Sequence, residues 1–154
     1  MEILIYTDGS CHTKWRVGAW VAILFISDEK VILNGVVTGT THQRMELMAV
    51  IKALEFIKVN YTDNRVLLHS DSQYVLTIPE RSEKIAATDF ISSKGKELPN
   101  TDLVKTLLQL IPGFDITYIK IKAHQKANEA AVYNCEADKL SRKLVRDAVK
   151  NNPA

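Results

Sequence analysis

Long apolar runs are missing from this 154-residue chain, and none approaches the ~18 residues that a membrane-crossing helix needs. Cysteine is scarce: Cys11 and Cys135 are too few for a disulfide framework and lack the paired spacing of a zinc site. Two free thiols in a reducing compartment are expected. The start, Met1-Glu2-Ile3-Leu4-Ile5-Tyr6, holds no basic leader ahead of a cleavable apolar segment. A secreted protein is therefore not expected, and the cytoplasm is the expected location. Neither sign of charge dominates: 20 basic and 18 acidic residues leave +2, too little to name a nucleic-acid partner. Repeats, linkers and low-complexity stretches are absent, which predicts one domain over 1–154. What is abundant is apolar residue, 46% of the chain, which excludes an extended disordered chain and suffices for a real core.

The charge is unevenly spread. From Asp115 to the end there are 8 Lys/Arg and 5 Asp/Glu, a local +3, so the rest carries −1. A mildly basic C-terminal third is compatible with an anionic partner, and equally with a solvated face.

The hydropathy pattern predicts a strand at 2–7, stopped by the turn signal Asp8-Gly9-Ser10. A second strand is predicted at 18–27, and a hairpin turn at Asp28-Glu29-Lys30 leads to a third at 31–38. The period then becomes helical: Leu47, Val50, Ile51, Leu54 and Ile57 mark a helix from Arg44 to Lys58, with Thr40 and Gln43 resembling a capping box. Arg65 to Ser70 reads as a fourth strand. Ser72 is a candidate N-cap for a helix ending before Pro79, and a further helix is possible near 82–92. Asn100 or Thr101 begins another helix, stopped by Pro112-Gly113. Ile116 to Ile121 alternates like a half-exposed edge strand, and a final helix is predicted from Asn134 to Val149. Three hairpin-joined strands followed by alternating helices and strands predict an α/β mixed sheet with helices packed on it.

Four acidic residues fall at suggestive places in this order. Asp8 ends the first strand, Asp71 ends the fourth, Glu46 lies in the first turn of the first long helix, and Asp138 lies in the first turns of the last. If the first and fourth strands are adjacent and parallel, Asp8 and Asp71 share the sheet edge where α/β sheets place their sites. Each residue also has a plain reading, as a turn residue, a cap or a complement to a helix dipole. Together, converging carboxylates repel and raise one another's pKa unless a cation neutralises them. All-oxygen ligands suit Mg²⁺ or Mn²⁺. Two such ions about 4 Å apart activate water on one side of a phosphodiester and stabilise the leaving oxygen on the other.

The segments Tyr6-Thr7-Asp8-Gly9-Ser10-Cys11, Thr41-His42-Gln43-Arg44-Met45-Glu46-Leu47, Ser70-Asp71-Ser72-Gln73-Tyr74-Val75, Lys122-Ala123-His124, and Asn134 with Ala137-Asp138 and Leu140 together resemble type 1 ribonuclease H, in the right order over nearly the whole chain. The resemblance implies the ribonuclease H-like fold: a five-stranded mixed sheet, three strands antiparallel and two parallel, with helices on both faces. It implies an endoribonuclease that hydrolyses the RNA strand of RNA–DNA hybrids and leaves 5′-phosphate and 3′-hydroxyl ends. Two Mg²⁺ ions, with Mn²⁺ as a substitute, would be held by Asp8, Glu46, Asp71 and Asp138. His124, in the loop before the last helix, would assist proton transfer and product release.

The same resemblance places substrate contacts at Gly9, Ser10, Cys11, His42, Gln43, Gln73 and Asn134. His42 stands where the family more often has Asn. The family's basic, tryptophan-bearing protrusion corresponds to Pro79–Pro99, which here has no Trp and carries both charge signs; Lys94 and Lys96 are its best phosphate ligands. The expected partner is the hybrid duplex, with no membrane and with the chain acting as a monomer. Two other readings stay open: a nuclease of the same fold acting on DNA, as resolvases and transposases do, and a non-catalytic hybrid-binding module.

Overall fold

The computed structural model describes residues 2–62, 65–122 and 128–151. Five strands form one sheet in the order β3-β2-β1-β4-β5. The strands are β1 (Glu2–His12), β2 (Val17–Ile26), β3 (Glu29–Thr38), β4 (Arg65–Ser70) and β5 (Asp115–Lys120). β1, β2 and β3 run antiparallel, whereas β4 pairs parallel with both β1 and β5. The helices are α1 (His42–Asn60), α2 (Gln73–Glu80), α3 (Ser82–Ala87), α4 (Thr101–Leu110) and α5 (Glu129–Lys150).

Side chains alternate along each strand, so the sheet feeds two cores. Ile3, Ile5, Ala22, Leu24, Val66 and Leu68 pack with α1, α2 and α4 on one face. Tyr6, Val21 and Ile23 pack with Ala137 of α5 on the other. β2 has no polar stripe because both of its faces are covered, and its ten residues are almost all buried. Among the described residues no helix is long and apolar enough to cross a membrane.

Several boundaries differ from the sequence expectations. Asp8-Gly9-Ser10 does not stop β1, which continues to His12 because β2 pairs with it residue by residue as far as His12↔Val17. The hairpin turn lies at Ser27 and Asp28, both at positive φ (47° and 68°), which suits a two-residue turn and lets β3 start at Glu29. The cap of α1 is Thr41, whose side chain accepts from the Arg44 amide, so the expected Thr40–Gln43 capping box does not form. Pro79 lies inside α2, where its missing N–H removes a single helical bond one residue from the end. The helix near 82–92 is only six residues long, and Asn100 begins α4 in the left-handed conformation without a side-chain cap bond. Ile111–Gly113 continues α4 as a 3₁₀ turn. α5 starts five residues earlier than expected, because Asn128 Oδ1 accepts from the Ala131 amide at 2.8 Å and caps it.

Candidate active site at the sheet edge

The site assembles where β1 and β4 lie side by side. Their parallel register pairs Tyr6 with His69. Continued for two residues, it brings Asp8 level with Asp71, which follows β4 directly. Asp8 therefore belongs to the interior of a central strand, not to a turn. It follows the alternation of Leu4 and Tyr6, which face α5. Gly9 consequently faces α1. A Cβ there would meet the Glu46 backbone nitrogen at 2.5 Å and the Met45 carbonyl carbon at 2.6 Å. The missing side chain lets α1 cross the strand in near contact and sets the depth at which Glu46 sits.

Glu46 lies in the second turn of α1, not the first, and is buried. Both its oxygens are engaged. His42, one turn earlier, has Nε2 2.5 Å from Oε1, and Ser72 Oγ donates to Oε2. Ser72 also caps α2 by accepting from the Val75 amide at 3.2 Å. A single hydroxyl thus ties the helix that follows Asp71 to the carboxylate arriving from α1. The hydrogen bond to Glu46 raises the His42 pKa against its partial burial, helped by the charges of Glu46, Asp8 and Asp71.

Asp138 comes from the other face of the sheet. With α5 beginning at Glu129, it lies in the third turn instead of the first turns expected. Arg142 Nε, one turn on, donates to its Oδ1 at 3.1 Å. Asn134, one turn back, hydrogen-bonds the Asp71 side chain. One stripe of α5, spaced by four residues, therefore presents an amide, a carboxylate and a guanidinium to the sheet edge.

The electrostatics report this convergence. Burial pushes the Asp8 carboxyl up to about 8, reinforced by the facing charges of Asp71 and Asp138. Asp138 faces Asp8 across the edge and adds to the rise in the Asp8 pKa after burial and the charge of Asp71. Asp71 is also raised, first by burial and then by the charge of Glu46, with the Asn134 bond working against the shift. Among the described residues, no three His, Cys, Asp or Glu side chains stand as a ready-made ligand set. The donor chemistry nevertheless fits hard divalent cations. Four carboxylates from separate parts of the chain face a common edge, two of them raised in pKa first by burial and then by neighbouring carboxylate charge, and a cation between them offsets both penalties.

The remaining expected residues fall in three groups. Ser10 and Cys11 extend β1 beyond Asp8 and are half-buried, with Cys11 Sγ 3.6 Å from the carbonyl oxygens of His12 and Thr40. His42, Gln43 and Gln73 are exposed at the starts of α1 and α2. Lys94 and Lys96 are exposed on a turn closed by the Ile91–Glu97 bridge, and among the described residues no contact ties them to the carboxylates. His124 lies outside the described residues.

Local pattern marks Ser72 only as a cap and does not single out Arg142 or Lys120. The four-residue spacing of Asp138 and Arg142 is the one signal that points to the guanidinium. The contacts of Ser72 with Glu46 and of Lys120 with Gln73 join distant segments and leave no local trace.

A family profile described as RNase H matches residues 1–146. The chain is 37% identical over 153 residues to a Ribonuclease H of Prosthecochloris aestuarii, covering 98% of this chain and 97% of that protein. A Ribonuclease H of a Thermoanaerobacter species is 34% identical over 97% of this chain and 93% of its own length. The corresponding figures for a Ribonuclease H of Wolbachia pipientis are 35%, 96% and 97%.

Proposed function

The chain belongs to the ribonuclease H family, and from that premise we propose that it hydrolyses the RNA strand of RNA–DNA hybrids, using two divalent cations and leaving 5′-phosphate and 3′-hydroxyl ends. The observation that carries this reading is the meeting of Asp8 of β1, Asp71 just after β4, Glu46 of α1 and Asp138 of α5, with Asp8 raised to about 8 by burial and its carboxylate neighbours.

These four carboxylates would hold the ions, Mg²⁺ by preference and Mn²⁺ as a substitute. When bound, the ions neutralise phosphate charge and lower the pKa of water. The chain's own residues do the rest. Ser72 and His42 fix both oxygens of Glu46, so its orientation is set before substrate arrives. Asn134 fixes Asp71, and Arg142 fixes Asp138. Water attacks phosphorus in line, the bond from phosphorus to the 3′-oxygen breaks, and that oxygen takes a proton. His124 is the proposed proton carrier, so His124→Ala slows turnover without abolishing metal binding.

Hybrid selection is assigned to groups beside the carboxylates. Gln43 and Gln73 reach the duplex from two helix starts, with Ser10, Cys11, His42, Asn134 and the Gly9 backbone lining the edge between them. Short polar groups of this kind sense the 2′-hydroxyl. Lys94 and Lys96 take phosphates of the DNA strand. The protein works as a cytoplasmic monomer, with 1–154 forming one domain.

A labelled RNA–DNA duplex incubated with Mg²⁺ and then Mn²⁺, beside a DNA duplex of the same sequence, tests the proposal. Cleavage of the RNA strand alone supports it. Cleavage of duplex DNA moves the reading to a nuclease acting on DNA. Binding of hybrid without cleavage in either metal leaves a binding module.

A further inference from the structure

We propose that Lys120 positions the substrate: its ammonium takes a backbone phosphate of the nucleic acid and holds the Gln73 amide with its N–H groups turned toward the duplex. This inference rests on the hybrid-cleaving function proposed above and names a residue of the same site.

Lys120 is the last residue of β5 and pairs with Ser70, the residue just before Asp71. The parallel register therefore brings it to the sheet edge that carries Asp8 and Asp71. It shares the strand face of Ile116 and Tyr118, which pack on the α1 side, where α2 begins. From there Lys120 Nζ donates to Gln73 Oε1 at 2.5 Å. Gln73 is the first residue of α2, two positions after Asp71.

The chemistry of this contact fixes an orientation. An amide offers an acceptor on one arm and two donors on the other, and an ammonium has only donors. Lys120 can bond Gln73 only through its oxygen, so the amide cannot turn over without losing the contact. The Gln73 N–H groups are thereby left for acceptors: base-edge acceptors of the minor groove, or a 2′-hydroxyl oxygen.

Lys120 itself remains under-used. It is exposed, and among the described residues it makes no ion pair, although carboxylates crowd the same edge. Two ammonium donors and a full positive charge stay available beside the cleavage site. A phosphate diester is the anion that a hybrid duplex presents at regular spacing along its backbone. The competing explanation is a lysine that merely discourages strand pairing at the exposed edge of β5.

Steady-state cleavage of a labelled hybrid over a series of salt concentrations separates the two. K120M is expected to raise KM about five- to tenfold on hybrids of any sequence, to leave kcat within about twofold, and to flatten the slope of log KM against log salt by about one. K120R restores both KM and slope. In the double variant K120M/Q73A the effects on KM are less than additive, because part of the action of Lys120 passes through Gln73. Circular dichroism melting checks that K120M folds, with K120Q as the substitute should it not. A K120M protein with wild-type KM and salt slope overturns this inference alone. A wild-type chain that neither binds nor cleaves hybrid overturns the proposed function with it.

Discussion

The side of Gly9 that faces α1 is closed by Glu46: a Cβ on Gly9 would lie 2.5 Å from the Glu46 backbone nitrogen, closer than real Cβ atoms approach. The glycine is therefore a spacer between the central strand and the helix that carries Glu46, one of the four proposed metal-binding carboxylates. The two nearest contacts are to backbone of α1, which cannot swing aside as the end of a flexible side chain can. Gly9→Ala is expected to push α1 outward, to cost about 1–3 kcal/mol of stability and to reduce cleavage strongly by displacing Glu46. Urea denaturation and kcat measured on the same preparation check this. A variant of wild-type stability and activity contradicts the spacer role.

Ser72 performs two tasks with one hydroxyl, capping α2 and donating to Glu46. Ser72→Ala removes both at once. A loss of about 1–2 kcal/mol is expected from the cap and the buried bond together. kcat should fall as well, because Glu46 then keeps only the His42 contact. Ser72→Asp restores the cap but leaves no donor for Glu46. If it recovers stability and activity alike, the bond to Glu46 has no part in orienting the carboxylate.

Asp8 faces Asp71 and Asp138, and in divalent-free buffer that crowding works against folding. Asp8→Asn removes one charge while keeping the shape. Cleavage should disappear, hybrid binding should remain measurable, and the protein without metal should melt higher, with a gain on the order of 1–2 kcal/mol. A lower melting temperature than wild type in EDTA excludes mutual repulsion at this edge.

Arg44 joins α1 to α4 through a two-pronged contact with Asp102, at 2.9 Å and 2.8 Å. The guanidinium holds the Asp102 carboxyl well below the usual carboxylate range, at about 2. A depressed acid contributes stability that is full above its unfolded value near 3.8 and is lost as pH falls toward 2. Because the carboxylate is largely exposed and screened, Asp102→Asn should cost only about 0.5 kcal/mol at neutral pH. The difference from wild type should vanish as the pH is lowered from about 4 toward 2. A deficit that persists unchanged at the acid end assigns the loss to something other than this pair.

Much of the candidate site is legible in the order of amino acids alone. Asp8, Glu46, Asp71 and Asp138 stand out because each lies at a boundary between periods of hydropathy, and the motifs around them are long enough to be specific. β4, the Ser72 cap and the final order of elements follow from local pattern, since caps and periodicity act within a few residues. Asp8-Gly9-Ser10 misleads because turn propensity is a weak, local preference. In the middle of a sheet, ladder hydrogen bonds from both neighbouring strands outweigh it. The early start of α5 does have a local signal, Asn128 followed by Glu129 and two alanines.

The sequence by itself determined which side chains are available for the proposed chemistry, because the identities of four carboxylates, an asparagine and a glycine are fixed by covalent structure. Only the tertiary structure decided what they do to one another. The parallel pairing of β1 with β4 brings Asp8 level with Asp71, and α1 and α5, pressed on opposite faces, lower Glu46 and Asp138 onto the same edge. The coupling between those charges, the seat that Gly9 makes for α1, and the reach of Lys120 to Gln73 all depend on distances of a few ångströms between segments tens of residues apart. Local preference carries no record of such distances; they are set by how the two cores pack.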